Sequence, residues 1–191
     1  MPLLGPTDPL PARPRRVLIA GTSGFGKSTL ARRVSGTLGI PYVEIDALYH
    51  GPGWTPRPTF EHDVRSFSSK PAWTTEWQYD AVRAHLAAAA DLVIWLDLPR
   101  VLVMRQVIDR TLRRRLRRLE LWNGNVEPPL STILTDREHI VRWAWTTHHK
   151  TAPRIHALMQ ERPDLAVVRL TSHGNADRWI RGPLSATAQP A

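Results

Sequence analysis

The sequence predicts an α/β protein of three layers, with a five-stranded parallel sheet covered by helices on both faces. Three observations predict it. Short apolar runs alternate with helical patterns along the chain. One run, within "DLVIWLDLP", is apolar without interruption, as a strand buried on both faces requires. The first strand also enters a helix through a turn rich in glycine.

That first strand, Val17 to Ala20, leads into "GTSGFGKST". Gly21, four residues, Gly26, Lys27 and Ser28 have the spacing of a phosphate-binding loop, whose amides point inward ahead of a positive helix end. Gly21, Thr22, Ser23, Gly24, Phe25, Gly26, Lys27, Ser28 and Thr29 are therefore expected to hold ATP. Lys27 would reach the β and γ phosphates, and the Ser28 hydroxyl would hold Mg2+. Leu30, Ala31, Val34 and Leu38 then recur at helical spacing. The chain has 23 arginines and three lysines. A lysine at position 27 suits a loop that needs a slender single-point cation.

Further along, "PYVEI" (Pro41 to Ile45) reads as the second strand, and "HGPGWTPRPT" as a loop before a helix over about Phe60 to Ser68. A strand at Ala72 to Thr75 follows, then a helix capped by Asp80 and running through Ala90. After the strand in "DLVIWLDLP", a long helix is expected from Pro99 to about Leu119, broken by "WNGNVEPP". Thr135 to Glu138 ("TDRE") has the form of a capping box for the next helix. "LAVVRL" reads as the fifth strand and Ala176 to Ile180 as a short helix. Residues 1–15, rich in proline, and 183–191 read as disordered ends of a single domain over 16–182. No cysteine is present. With no signal peptide, membrane anchor or disulfide framework, the expectation is a cytoplasmic protein without membrane contact.

The net charge is +9, and residues 100–118 carry eight arginines against one aspartate, so +7 of it is local. Arg110, Arg113, Arg114, Arg117 and Arg118 recur at steps of three and four, with Leu112, Leu116 and Leu119 expected to pack on another face. The arginines suit the phosphates of a nucleotide better than a polynucleotide track, which would need a second basic patch. Asp46, Glu76 and Asp97 end successive strands and should open onto the same rim as the phosphate loop. Asp97 also suits a cap for the helix that follows.

The stretches "GTSGFGKST", "VEIDALYH", "WTTEWQY", "WLDLPR" and "LWNGNVEPP" together resemble the bacterial topology modulation proteins, P-loop kinases related to adenylate kinase. The resemblance covers roughly Val17 to Leu170. It implies a nucleotide-kinase-like P-loop fold, with an acceptor segment at about 46–71 and a lid at about 113–131. It places Glu76 in the magnesium shell and Asp46 on the acceptor hydroxyl. Arg83 falls where an acidic or phosphorylated acceptor is held, and Arg110 where a phosphate-contacting arginine falls. Arg110 and Arg113 would be catalytic, with Arg114 and Arg117 on the nucleotide and Arg137 and Arg142 as lesser candidates. Trp54 and Trp77 adjoin the acceptor segment and could stack on a flat acceptor. His148 and His149 read as solvated.

Two departures shape the functional expectation. Ser28 stands where adenylate kinases carry glycine, as in shikimate and gluconate kinases, and Glu76–Trp77 stands where they carry aspartate and glycine. The expected activity is ATP- and magnesium-dependent phosphoryl transfer to a small-molecule acceptor, either a nucleoside or nucleotide or a hydroxylated metabolite. The alternative is a nucleotide-dependent nucleic-acid-binding protein that uses the arginine helix.

Overall fold

The computed structural model describes residues 3–22, 24–117, 120–125 and 140–188. Ser23, Arg118, Leu119, the capping box Thr135 to Glu138 with Arg137, and the part of the expected lid from 126 onward lie outside the described residues.

Five strands, β1 (Leu3–Leu4), β2 (Arg16–Ala20), β3 (Trp73–Glu76), β4 (Leu92–Leu96) and β5 (Ala166–Leu170), form one sheet in the order β1-β5-β4-β2-β3. Every pairing is parallel, with Ile19 opposite both Glu76 and Ile94. The helices α1 (Lys27–Leu38), α2 (Ile45–Tyr49), α3 (Phe60–Ser68), α4 (Asp80–Ala89), α5 (Arg100–Leu116), α6 (Ile140–Thr147), α7 (Thr151–Glu161), α8 (His173–Trp179) and α9 (Ser185–Ala188) surround it.

Alternate strand residues sort into two cores. Val17, Ile19, Ile94 and Val168 face α1, α5 and α8 through Leu30, Val34, Val107 and Trp179. Leu18, Val93, Trp95 and Val167 face α3, α4 and α7 through Val64, Leu86 and Ile155. Burial on both faces is why these strands are apolar without alternation. β2 sits between β3 and β4, so the chain reverses its direction of travel across the sheet beside the end of β2, where ligands of such sheets bind.

Four expectations are corrected. Pro41 to Ile45 is not a second strand. It leaves an isolated bridge from Tyr42 to Thr74, because Pro41 cannot donate and Ile45 already opens α2. The fifth strand comes instead from the expected disordered lead-in, where Leu3 and Leu4 pair with Val167 and Val168 on the open edge of β5. At the other end, helical structure continues past 182 through a π-helical turn at Ile180–Leu184 into α9, because Leu184 is fully buried. Leu112 and Leu116 do not pack either, being 37% and 81% exposed, whereas Val103, Val107 and Thr111 form the buried stripe of α5. None of the described helices is long and apolar enough to cross a membrane.

Candidate active site

The phosphate loop leaves β2 at Gly21 and enters α1 at Lys27, with Gly24 and Gly26 at φ +90° and +78°. Both values lie in the region that glycine alone adopts freely. At Gly24 the absence of a side chain also has a packing reason, since a Cβ there would overlap Val107 of α5. The loop closes on itself through Phe25 N–H to the Thr22 carbonyl at 3.2 Å. Thr22 is buried, with its hydroxyl 3.4 Å from that of Thr151.

Lys27 is 9% exposed, and its ammonium donates to the Thr22 carbonyl at 3.3 Å. Burial lowers its pKa, the charges of Asp46 and Glu76 oppose that shift, and the charge of Arg110 adds to it. The charges of two carboxylates and one guanidinium, from three different elements, are therefore felt at the loop lysine. Ser28 follows it, and its hydroxyl adjoins the phenol of Tyr42.

Glu76, at the end of β3, is 1% exposed. Its carboxylate accepts from the Tyr42 hydroxyl at 2.6 Å and from the Ile45 amide at 3.3 Å. Burial, followed by the charge of Glu76, raises the Tyr42 pKa. Asp46, in the first turn of α2, accepts from the Tyr79 hydroxyl at 2.6 Å and from the Gln78 amide. Tyr79 adopts φ +64° just ahead of α4 and stacks on Tyr49 at 4.0 Å between ring centres. Its pKa is raised by burial and then by Asp46. His50 lies 3.3 Å from the same hydroxyl, and burial lowers its pKa against the opposing charge of Asp46.

Beside this cluster a cavity of about 270 Å³ is lined by Tyr49, Arg57, Phe60, Glu61, Tyr79 and Asp80, among others. A second cavity, of about 230 Å³, flanks the other side of the phosphate loop between Phe25, Thr29, Arg33, Gln106 and His173. The Gln106 amide and the His173 ring are hydrogen-bonded to each other there.

The remaining expected site residues divide. Arg110 and Arg114 are half-buried on the protein side of α5, while Arg113 and Arg117 are exposed. Thr29 is exposed at the mouth of the second cavity. Arg142 of α6 is half-buried. Trp54 stands edge-on to His50 and to Trp122 in a ring cluster beside α2. Trp77 does not face that site. At 8% exposed it belongs to the core, its indole donates to the Arg83 carbonyl at 3.1 Å, and its ring carries the Arg83 guanidinium. Arg83 is ion-paired with Asp80, and burial together with Arg154 brings its pKa down to about 10.

Asp97 is not a helix cap. It accepts two hydrogen bonds from Arg169, and the N-cap of α5 is Pro99. His148 is not solvated either, since its ring lies edge-on to Phe25 and 3.1 Å from the Leu98 carbonyl. His149 is exposed, and no metal-binding group of His, Asp and Glu forms among the described residues.

Sequence reasoning gave no role to Tyr42, His50, Gln78, Tyr79 or Asn125. Gln78 and Tyr79 directly follow Glu76–Trp77 in "WTTEWQY", so two polar side chains after a strand end were the available signal.

A shikimate kinase from Acinetobacter baumannii, solved with shikimate, superposes with a TM-score of 0.53 at 15% identity over 87% of this chain and 89% of its own. The chain has the α/β P-loop NTPase fold. No family model matches it. Cytidylate kinases from two strains of Nitratidesulfovibrio vulgaris are 46% identical over 44 residues, 23% of this chain. That match spans about a fifth of those relatives' length, 19%. A shikimate kinase from Bradyrhizobium diazoefficiens is 29% identical over 144 residues, 66% of this chain and 67% of that protein.

Proposed function

We propose that this chain is an ATP- and Mg2+-dependent P-loop kinase that transfers the γ phosphoryl to a small hydroxylated acceptor. The buried Lys27 at the end of a glycine turn between β2 and α1, with the charges of Asp46, Glu76 and Arg110 acting on it, carries this reading. A lysine held under a glycine-rich loop, with an arginine beside it, supplies the fixed positive charge that phosphoryl transfer needs. Asp46 is the group that would take the acceptor's proton, and its hydrogen bonds from Tyr79 and Gln78 hold the carboxylate in place.

The oxygen-only set of Ser28 and Glu76 suits magnesium, a hard cation, and these two residues would hold it. The ion would supply neutralisation of phosphate charge. Tyr42, joined to Glu76 and adjoining Ser28, fixes the spacing of that pair.

The cavity beside Tyr79 has room for a sugar-sized or nucleoside-sized acceptor. The cytidylate and shikimate kinases among the relatives act at the two ends of that range. The sequence stretches above favour the topology modulation proteins as the finer assignment within this reading. We assign the arginines of α5 to a lid over the donor phosphates, with Arg110 and Arg114 inward.

The test is ADP release from Mg-ATP against nucleosides, nucleoside monophosphates including CMP, and hydroxylated acids including shikimate. One acceptor should raise ADP release well above background and be phosphorylated. Lys27→Ala should abolish the transfer. A wild type that phosphorylates none of them, with a background equal to that of Lys27→Ala, would overturn the reading.

A further inference from the structure

The turn at Trp122–Gly124 and the residue after it are seated on the loop that follows α2, more than seventy positions earlier in the chain. Asn125 is 5% exposed and its carboxamide is used at both ends. Oδ1 accepts from the Trp54 amide at 3.0 Å, and Nδ2 donates to the carbonyls of Gly51 at 2.9 Å and Trp122 at 2.8 Å. Asn123 donates to the His50 carbonyl, and the Trp122 ring stacks on His50 at 5.7 Å and 20°. Trp54 and Asn123 both have φ near +60°, and each turn is held in that conformation by the other.

An amide is the side chain that fits position 125. It offers one acceptor and two donors, and the three partners ask for one acceptor and two donors. An aspartate would turn an oxygen toward two carbonyls, and an alanine would take one hydrogen bond from each of three backbone groups, the buried Gly51 carbonyl among them.

The contacts run on toward the acceptor carboxylate, and chain order leads back to α5. His50 is 3.3 Å from the Tyr79 hydroxyl, which donates to Asp46. In the other direction, 120–125 follows closely after α5, whose Arg110 acts on Lys27. We propose that Asn125 is a positioning residue that couples nucleotide bound under α5 to the acceptor carboxylate Asp46, through the His50 loop. This rests on the kinase reading above. It assigns Asn125 no contact with either substrate.

The experiment is amide hydrogen exchange by mass spectrometry on the full chain, alone and with Mg2+ and a non-hydrolysable ATP analogue, in wild type, Asn125→Ala and Asn125→Asp. In the free wild type, the Trp54 amide should exchange at least tenfold slower than in Asn125→Ala. With the analogue, protection should rise in both 22–29 and 50–55 of wild type. In the two variants it should rise in 22–29 alone, with the analogue's Kd within threefold of wild type. Once an acceptor is known, its KM should rise about tenfold in Asn125→Ala while the KM for ATP stays.

Equal Trp54 exchange in wild type and Asn125→Ala would overturn the clasp. Transmitted protection of 50–55 that survives in the variants would overturn the coupling. A general loss of protection across β2 and β4 would mark misfolding, and Asn123→Gly, which removes the bond to His50, suits the φ of +56° and leaves Asn125 in place, then decides. Unchanged transmission in that variant would count against the proposal, and weakened transmission for it. A wild type that binds no analogue sinks the kinase reading and the coupling with it, while the free-protein comparison still judges the clasp.

Discussion

Replacing Gly24 by alanine tests the joint between the phosphate loop and α5. An added Cβ overlaps Val107 Cγ2 and comes within 3.5 Å of the Val103 carbonyl, and Val107 is fully buried with no room to retreat. The backbone at φ +90° adds a second cost. Left-handed conformations cost an L residue about 1–2 kcal/mol, and overpacking typically costs about 1–3 kcal/mol. The sum is about 2–5 kcal/mol.

For a chain of this size each kcal/mol moves Tm by about 2–4 °C, so a rigid loop predicts a fall of roughly 4–20 °C. If the loop yields instead, its amides leave the phosphate-binding arrangement, and the same energy appears as a loss of roughly thirtyfold or more in nucleotide affinity. Calorimetric melting and nucleotide titration of the same sample measure both. Gly36→Ala is the control. Position 36 lies inside α1 with nothing within 4 Å of an added Cβ, so alanine there should stabilise by about 0.5–1 kcal/mol. Unchanged Tm and affinity in Gly24→Ala, or equal damage from both substitutions, would refute the reasoning.

Arg110→Ala should lower kcat by roughly 30- to 1,000-fold, an electrostatic loss of about 2–4 kcal/mol in the barrier, while Arg113→Ala and Arg117→Ala, both exposed, should stay within about threefold. Steady-state kinetics on the three would refute the lid assignment if the losses were equal. Asp46→Asn should lower turnover by roughly a hundredfold or more with ATP affinity unchanged, and a loss of ATP binding would move Asp46 to the metal. His50 bears on acid stability. Burial holds its folded pKa below 6.5, so the unfolded chain binds the extra proton first, and stability falls as pH drops from about 6.5 through the folded value. His50→Phe should flatten that part of the Tm-versus-pH curve, and an unchanged slope would exclude His50 as its source.

What could be read from sequence was what local rules determine. The passage from β2 through a glycine turn into α1 was legible because its residues are consecutive and its glycines are closely spaced. β4 was legible because burial on both faces leaves an uninterrupted apolar run. Leu3–Leu4 was not, because two residues become a strand only through the open edge of β5, nearly the whole chain away. The acceptor side failed for the same reason. Asp46 gains its meaning from Tyr79, and Trp54 from Asn125, across separations of 33 and 71 residues that no local pattern encodes. Trp77 was misjudged because position beside a site does not fix direction, and the pleat turned its ring into the core.

The sheet itself separates the two halves of the proposed chemistry. The donor side draws Lys27, Arg110, Gln106 and His173 from α1, α5 and α8, which pack on one face. The acceptor side draws its cavity wall from α3 and the start of α4, on the opposite face, with Tyr79 as the residue before α4. Glu76 sits on the seam, at the end of β3, and holds both sides. One of its oxygens takes the Tyr42 phenol, whose ring packs with the first core, and the other takes the amide that opens α2, whose Ile45 lies in the second. A phosphoryl group moving from donor to acceptor must cross that seam, so the loop and the carboxylates have to be rigid there. The layer behind the acceptor does not. Phe60, Glu61 and Arg57 line the cavity apart from the core that holds α1, α5 and α8, so on the proposed reading substitutions there would alter the choice of acceptor and leave the donor side in place.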